Sequence, residues 1–184
     1  MKTISVEIVG TGRGYLQHRR NVAGDFEEAV TTTKRKSRQP TTMAEFKEEA
    51  VSALWADEKG RPYIPSIQIE RALIGSGSAF QIAGHGKRTY KRDMLASIIV
   101  TPPKIYLTPP KWETDIQAVR VQSSQVFRAR PLFEAGWKAK FSIQITDDEI
   151  QSAAVKDILE YAGKHVGIGD YRPRYGTFDV VSSE

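Results

Sequence analysis

Trp137-Lys138-Ala139-Lys140-Phe141-Ser142-Ile143-Gln144-Ile145 alternates apolar and polar side chains without a break. A period of two over this length predicts a strand with one face on a core and the other in water. Thr146 to Ala162 changes period. Ile150, Ala154, Ile158, Leu159 and Ala162 fall at helical spacing behind a possible capping box from Thr146 to Glu149. Asp147 and Asp148 stand at that helix start, where carboxylates favour the helix dipole. Gly163 is a stop signal, and Thr177 to Val181 reads as a final strand.

The N-terminal half repeats the theme. Residues 3 to 9 put Ile4, Val6 and Ile8 on one side of a strand that Gly10, Gly12 and Gly14 end. Thr42 to Asp57 carries Phe46, Ala50, Ala53 and Leu54 at helical spacing, with Thr42 and Glu45 forming a capping box. A second helix is expected after Pro65-Ser66, with Ile67, Ala72 or Arg71, Leu73 or Ile74, and Phe80 on its apolar side. Met94 to Val100, Lys104 to Leu107 and Ala118 to Phe127 read as strands, and Arg128-Ala129-Arg130-Pro131 as the connection that follows. Stripped of its insertions, with the 43–57 helix as an extra piece, the order is strand, helix, strand, strand, helix, strand. This predicts an α+β fold, a ferredoxin-like βαββαβ core of the kind found in RNA-recognition domains, carrying inserted basic loops. The aromatic signature of the RNA-recognition domains is absent.

A chain of 184 residues fits one domain, 1–184. It contains no cysteine, which excludes disulfides, thiolate metal sites and cysteine nucleophiles. A net charge of +5 favours acidic partners, nucleic acid first. The first residues lack the apolar run of a signal peptide and no stretch approaches a membrane span, so a cytoplasmic protein without a membrane partner is expected.

The charge is concentrated in stretches that carry no sustained periodicity. Gly163 to Gly176 holds Lys164, His165, Arg172 and Arg174 among the glycines Gly167, Gly169 and Gly176, with Asp170 placed to orient the two arginines. Ala83 to Arg92 holds Lys87, Arg88, Lys91 and Arg92 around Tyr90, the pairing of charge and stacking ring that grips single strands. The long excursion 13–42 carries Arg13, Arg19, Arg20, Lys34, Arg35, Lys36 and Arg38. Each stretch has an ordinary alternative, a solvated surface turn.

Two segments together resemble the RAMP superfamily, the repeat-associated mysterious proteins that supply backbone and crRNA-processing subunits of CRISPR effectors. They are Tyr63-Ile64-Pro65-Ser66-Ile67-Gln68-Ile69-Glu70-Arg71-Ala72-Leu73, similar to that group's entry to its first helix, and the glycine-rich loop from Gly167 to Phe178. Ser66 replaces the usual glycine after the proline, and Arg172-Pro173-Arg174 interrupts the glycine pattern. Arg130-Pro131, Trp137 and Gly167-Ile168-Gly169-Asp170-Tyr171-Arg172-Pro173 also resemble a class of short phage proteins. The RAMP resemblance implies a ferredoxin-like palm, a thumb or finger drawn from 13–42 or 84–92, and head-to-tail assembly along a guide RNA.

Nothing in the sequence demands catalysis or a cofactor. His18, His85 and His165 lie far apart without metal-ligand spacing, and no Walker loop, nucleophile elbow or dinucleotide fingerprint is present. The leading expectation is a non-catalytic protein that binds single-stranded RNA, or DNA, within a homo-oligomer or a multi-subunit ribonucleoprotein. The alternatives are a virion or assembly protein without a nucleic-acid role, and a metal-independent ribonuclease using one of the histidines.

Overall fold

A computed structural model describes residues 1–18, 40–121 and 123–183. The expected contacts at Arg19, Arg20, Lys34, Arg35, Lys36 and Arg38 lie outside the described residues. In chain order the elements are β1 (Lys2–Gly10), β2 (Tyr15–Leu16), α1 (Met43–Ser52), β3 (Tyr63–Pro65), α2 (Ser66–Ser76), α3 (Lys91–Ser97) and β4 (Ile98–Thr101). Then come β5 (Lys104–Tyr106), β6 (Glu113–Val121), β7 (Ser124–Phe133), β8 (Lys138–Ile145), α4 (Ser152–Tyr161) and β9 (Phe178–Ser183). Among the described residues the fold is α+β, with four α-helices and antiparallel sheets ordered β4-β8-β1-β9, β2-β7-β6 and β3-β5.

The central sheet follows the alternation in the sequence. Ile4, Val6 and Ile8 of β1 stand opposite Ile143, Phe141 and Ala139 of β8, and Ile98 and Val100 of β4 stand opposite Ile145 and Ile143. Because side chains alternate along a strand, this register sends every one of them to the same face. That face is buried against Ile69, Ala72 and Leu73 of α2 and Val155, Ile158 and Leu159 of α4. The other face carries Thr3, Ser5, Glu7, Lys140 and Ser142, with Lys140 Nζ 3.1 Å from Glu7 Oε2. It has no aromatic ring among these positions.

Four sequence expectations are corrected. Met94 to Ser97 belongs to α3 rather than to a strand, because the apolar alternation that pairs with β8 begins only at Ile98. The segment Ala118 to Phe127 spans a hairpin, so Arg128, Ala129, Arg130 and Pro131 lie inside β7 and not in a loop. On α2 the buried side is Ile69, Ala72, Leu73 and Ser76, while Ile67 points outward. The helix expected from Thr146 starts at Ser152: the Thr146 hydroxyl donates to the Ser97 carbonyl, and Asp147 Oδ1 accepts from Glu149 N at 2.9 Å, closing a turn instead of a capping box. Asp148 receives the N-terminal ammonium of Met1 at 3.2 Å. Past Tyr161 the chain continues as a π turn through Gly163 to Val166.

The capping box at Thr42 is present, with Thr42 Oγ1 accepting from Glu45 N and the Glu45 carboxylate accepting from the backbone of Thr41 and Thr42. These donors, the Thr41 backbone first, hold the Glu45 carboxyl down at about 2 from an ordinary 4.5. Among the described residues no helix is long and apolar enough to cross a membrane.

Two measurements check this architecture. Ile143→Ala should lower the unfolding free energy by about 2–5 kcal/mol in urea melts, and Ile99→Ala, on the half-exposed side of β4, by no more than about 0.5 kcal/mol. Since the folded Glu45 carboxyl titrates below its unfolded value, its stabilisation is present above pH 4.5 and is lost as pH falls toward 2. Glu45→Gln should remove that component of the acid limb in thermal melts between those pH values.

Candidate nucleic-acid interface

The glycine-rich loop between α4 and β9 is fixed by main-chain bonds to three neighbours. Gly167 N donates to Ala162 O at 2.7 Å, Asp170 N to Leu16 O at 2.9 Å, and Gly176 N to Gly14 O at 2.7 Å. Ile168, fully buried, donates across the loop to Gly176 O at 2.9 Å. Gly176 permits this closure because a Cβ there would collide with the Ile168 carbonyl, and its φ of +76° is left-handed. Gly169, at φ +78°, lies flat against the Tyr15 ring and the Leu16 carbonyl.

Side chains complete the clamp. Asp170 Oδ2 accepts from Arg130 Nε at 3.2 Å and lies 3.6 Å from His18 Nδ1. Arg130 is mostly buried, and its Nη1 lies 3.6 Å from Glu49 Oε1 on α1. The same Glu49 carboxylate takes Arg128 Nη1 at 3.3 Å and Ala129 N at 3.1 Å. Tyr175 in the loop accepts from Gln117 Nε2 of β6 at 2.7 Å. Asp170 therefore holds Arg130 and stands beside His18, and its ion pair is not with Arg172 and Arg174 as its position in the sequence suggested. Those two arginines, on either side of Pro173, are exposed.

The other expected contacts divide. Arg13 is exposed beside Gly14, whose carbonyl anchors the loop. Lys164 is exposed, 3.9 Å from Glu160, and the His165 ring packs at 4.6 Å on Tyr161. Tyr161 meets Phe80 edge-on at 5.5 Å, and Phe80 O accepts from Tyr90 N, so this chain of contacts joins the two basic stretches. Lys87 is exposed in the turn, whereas Lys91 and Arg92 open α3. Arg88 Nη2 is engaged by Asp93 Oδ1 at 2.7 Å, a bond that raises the guanidinium's pKa further. Tyr90 is half-buried against the core, so its ring is a packing element first. His85 sits exposed in the same turn. No cluster of three metal-ligating side chains occurs among the described residues.

Glu49, Gln117 and Tyr175 carry no sequence signal for this role: each lies far along the chain from the groups it holds. Arg128 and Arg130 were visible as an Arg-x-Arg pair, but only the β7 register shows that they face a helix and a loop. Asp170→Asn should loosen the loop and leave the Arg130 charge with one carboxylate; breaking a mostly buried pair in this way lowers stability by up to about 3–5 kcal/mol. Hydrogen exchange should then speed up at the Asp170 and Gly176 amides while the β8 amides stay protected.

No family model matches the sequence, and no curated protein matches it. In structure the chain is similar to a chain of a type III-B Cmr-beta complex, solved by cryo-electron microscopy bound to cognate target RNA. The TM-score is 0.56 at 13% identity, with 99% of this chain and 59% of that chain covered. The chain thus spans less than two-thirds of the length of that neighbour, and at this identity the likeness is one of fold.

Proposed function

We propose that this chain is a RAMP-like domain that binds single-stranded nucleic acid, RNA in preference to DNA, as a non-catalytic subunit of a multi-subunit ribonucleoprotein. In this reading β1, α2, β4, β8, α4 and β9 form a ferredoxin-like core, and copies or related subunits assemble head-to-tail along the strand. The observation that carries it is the loop's construction: a backbone immobilised by Gly14, Leu16, Ala162 and the Asp170–Arg130 pair presents Arg172 and Arg174 outward. A loop whose backbone is already fixed and that carries guanidinium groups suits phosphate oxygens, since little loop entropy remains to be lost on binding. The fold likeness to a chain of an RNA-bound complex supports the choice of RNA.

The absence of a ring at Thr3, Ser5, Glu7, Lys140 and Ser142 on the outer face of the central sheet argues against stacking of bases there. Contact through Arg13, Lys87, Lys91, Arg92, Lys164, Arg172 and Arg174 would instead follow the backbone and tolerate any sequence. A ribonuclease reading draws on one observation, the His18 ring beside Asp170. It requires that labelled RNA be cleaved on a denaturing gel and that His18→Ala abolish the cleavage.

Fluorescence anisotropy with a labelled single-stranded RNA over a salt series tests the binding reading. Each phosphate that the protein no longer neutralises should flatten the slope of log affinity against log salt by about 0.7, so the slope for the Arg172→Ala/Arg174→Ala double variant should be shallower by about 1.4. An unchanged affinity and slope in the double variant would remove the glycine loop from the interface.

A further inference from the structure

Stacking rings and cations do occur together on this protein, on the β3–β5 ribbon. Tyr63 and Tyr106 are direct cross-strand partners, with ring centroids 6.5 Å apart and the rings edge to face. Trp55 adds a third ring 6.0 Å from Tyr63, held by the Tyr63 N to Trp55 O bond at 2.9 Å. The Arg61 guanidinium lies 4.4 Å over the Tyr106 ring, and Lys104 Nζ 5.5 Å over the Tyr63 ring. None of these five side chains belongs to the glycine-loop clamp.

The rings are fixed from behind. Asp57 Oδ1 accepts from Lys59 N at 3.0 Å and Arg61 N at 2.8 Å, and Asp57 Oδ2 accepts from Arg61 Nε at 2.8 Å and the Tyr106 hydroxyl at 3.1 Å. That hydroxyl also accepts from Arg61 Nη2 at 3.2 Å. The wholly buried Gln17 donates to Tyr63 O at 2.9 Å and accepts from Trp55 N at 2.8 Å. The outer surface is open, with Tyr106 39% exposed and the Arg61 side chain 56%.

The chemistry of this patch selects among ligands. A quaternary ammonium or methylated lysine needs free aromatic faces, and here resident cations already stand over two of them, so a positive ligand is repelled. An inorganic anion or an acidic peptide would use Arg61 and Lys104 but gain little from the rings. A strand of unpaired nucleotides uses both, because bases stack on tyrosine rings and on the planes of arginine guanidinium groups while the phosphates meet the cations. We propose that Tyr106, the Arg61 guanidinium lying over it, and Tyr63 form a base-stacking platform for a single strand, with Lys104 beside it for phosphate. The proposal rests on the strand-binding reading above and adds a base contact that the glycine loop does not supply.

Anisotropy titrations of the whole chain with two labelled strands of equal length, oligouridine and the same ribose-phosphate backbone without bases, test it. The unmodified protein should bind oligouridine more tightly than the abasic strand. Tyr106→Ala should weaken oligouridine binding by about fivefold or more, the usual scale for losing one stacked base, and leave abasic binding within about twofold. Tyr106→Phe, which keeps the ring, should bind both strands within about twofold of the unmodified protein. Equal affinity of the unmodified protein for the two strands, or a Tyr106→Ala effect that is absent or equal on both, would overturn the platform. If both strands bind and only Arg172→Ala/Arg174→Ala weakens them, the platform fails and the loop interface stands. Failure of the unmodified protein to bind either strand would sink the strand-binding reading and the platform with it.

Discussion

The Arg130 guanidinium sits between Asp170 and Glu49, and through it three separate parts of the chain are held in one arrangement. Asp170 belongs to the loop before β9, Glu49 to α1, and Arg130 to the middle of β7. A mostly buried charge must keep its partners, because leaving it alone in a low-dielectric setting costs more than the pair ever contributes. The interaction therefore acts less as a source of stability than as a constraint on position. Glu49 serves two arginines and a backbone amide, so α1 and the β6–β7 hairpin cannot shift independently of the loop.

Glycine makes the constraint possible. Residues with side chains could not bring the loop backbone against Leu16, Ile168 and the Tyr15 ring at Gly169 and Gly176. Once those approaches are made, the amides of Gly167, Ile168, Asp170, Tyr175 and Gly176 are used within the protein, and the charge the loop shows to solvent comes from Lys164, Arg172 and Arg174. This separates two jobs that the sequence runs together. Gly167, Gly169, Asp170 and Gly176 set the shape, while Arg172 and Arg174 stay exposed to solvent.

Much of the central sheet was legible because one face of each strand is buried, and burial writes a period of two into β1 and β8. The capping box at Thr42 and Glu45 was legible for a similar local reason. What was not legible depended on partners remote in sequence. Ile98 could not be recognised as the first residue of a strand without Ile145 opposite it, and Thr146 could not be seen to prefer the Ser97 carbonyl over a helix cap. The pairing of Asp170 with Arg130 instead of its neighbours Arg172 and Arg174 is the same failure at the candidate site: proximity along the chain suggested one partner, and strand register supplied another. The ring pair Tyr63 and Tyr106 has no local signal at all, since it exists only through the β3–β5 register.

The short segment from Tyr15 to His18 ties the two surfaces together. Tyr15 is buried, donates its hydroxyl to Gln68 Oε1 at 2.9 Å, and supplies the ring on which Gly169 lies; burial pushes its phenol pKa up, so it remains a neutral donor. Leu16 gives its carbonyl to Asp170 N, Gln17 bridges Trp55 and Tyr63, and His18 approaches the Asp170 carboxylate. The attachments of the glycine loop and of the aromatic ribbon are thus adjacent residues, about 3.8 Å apart along the backbone. A segment this short and this buried cannot move one attachment while keeping the other. Phosphate contact at the loop and base contact at the ribbon would therefore share a single rigid frame, and a strand engaging one surface would meet the other already in place.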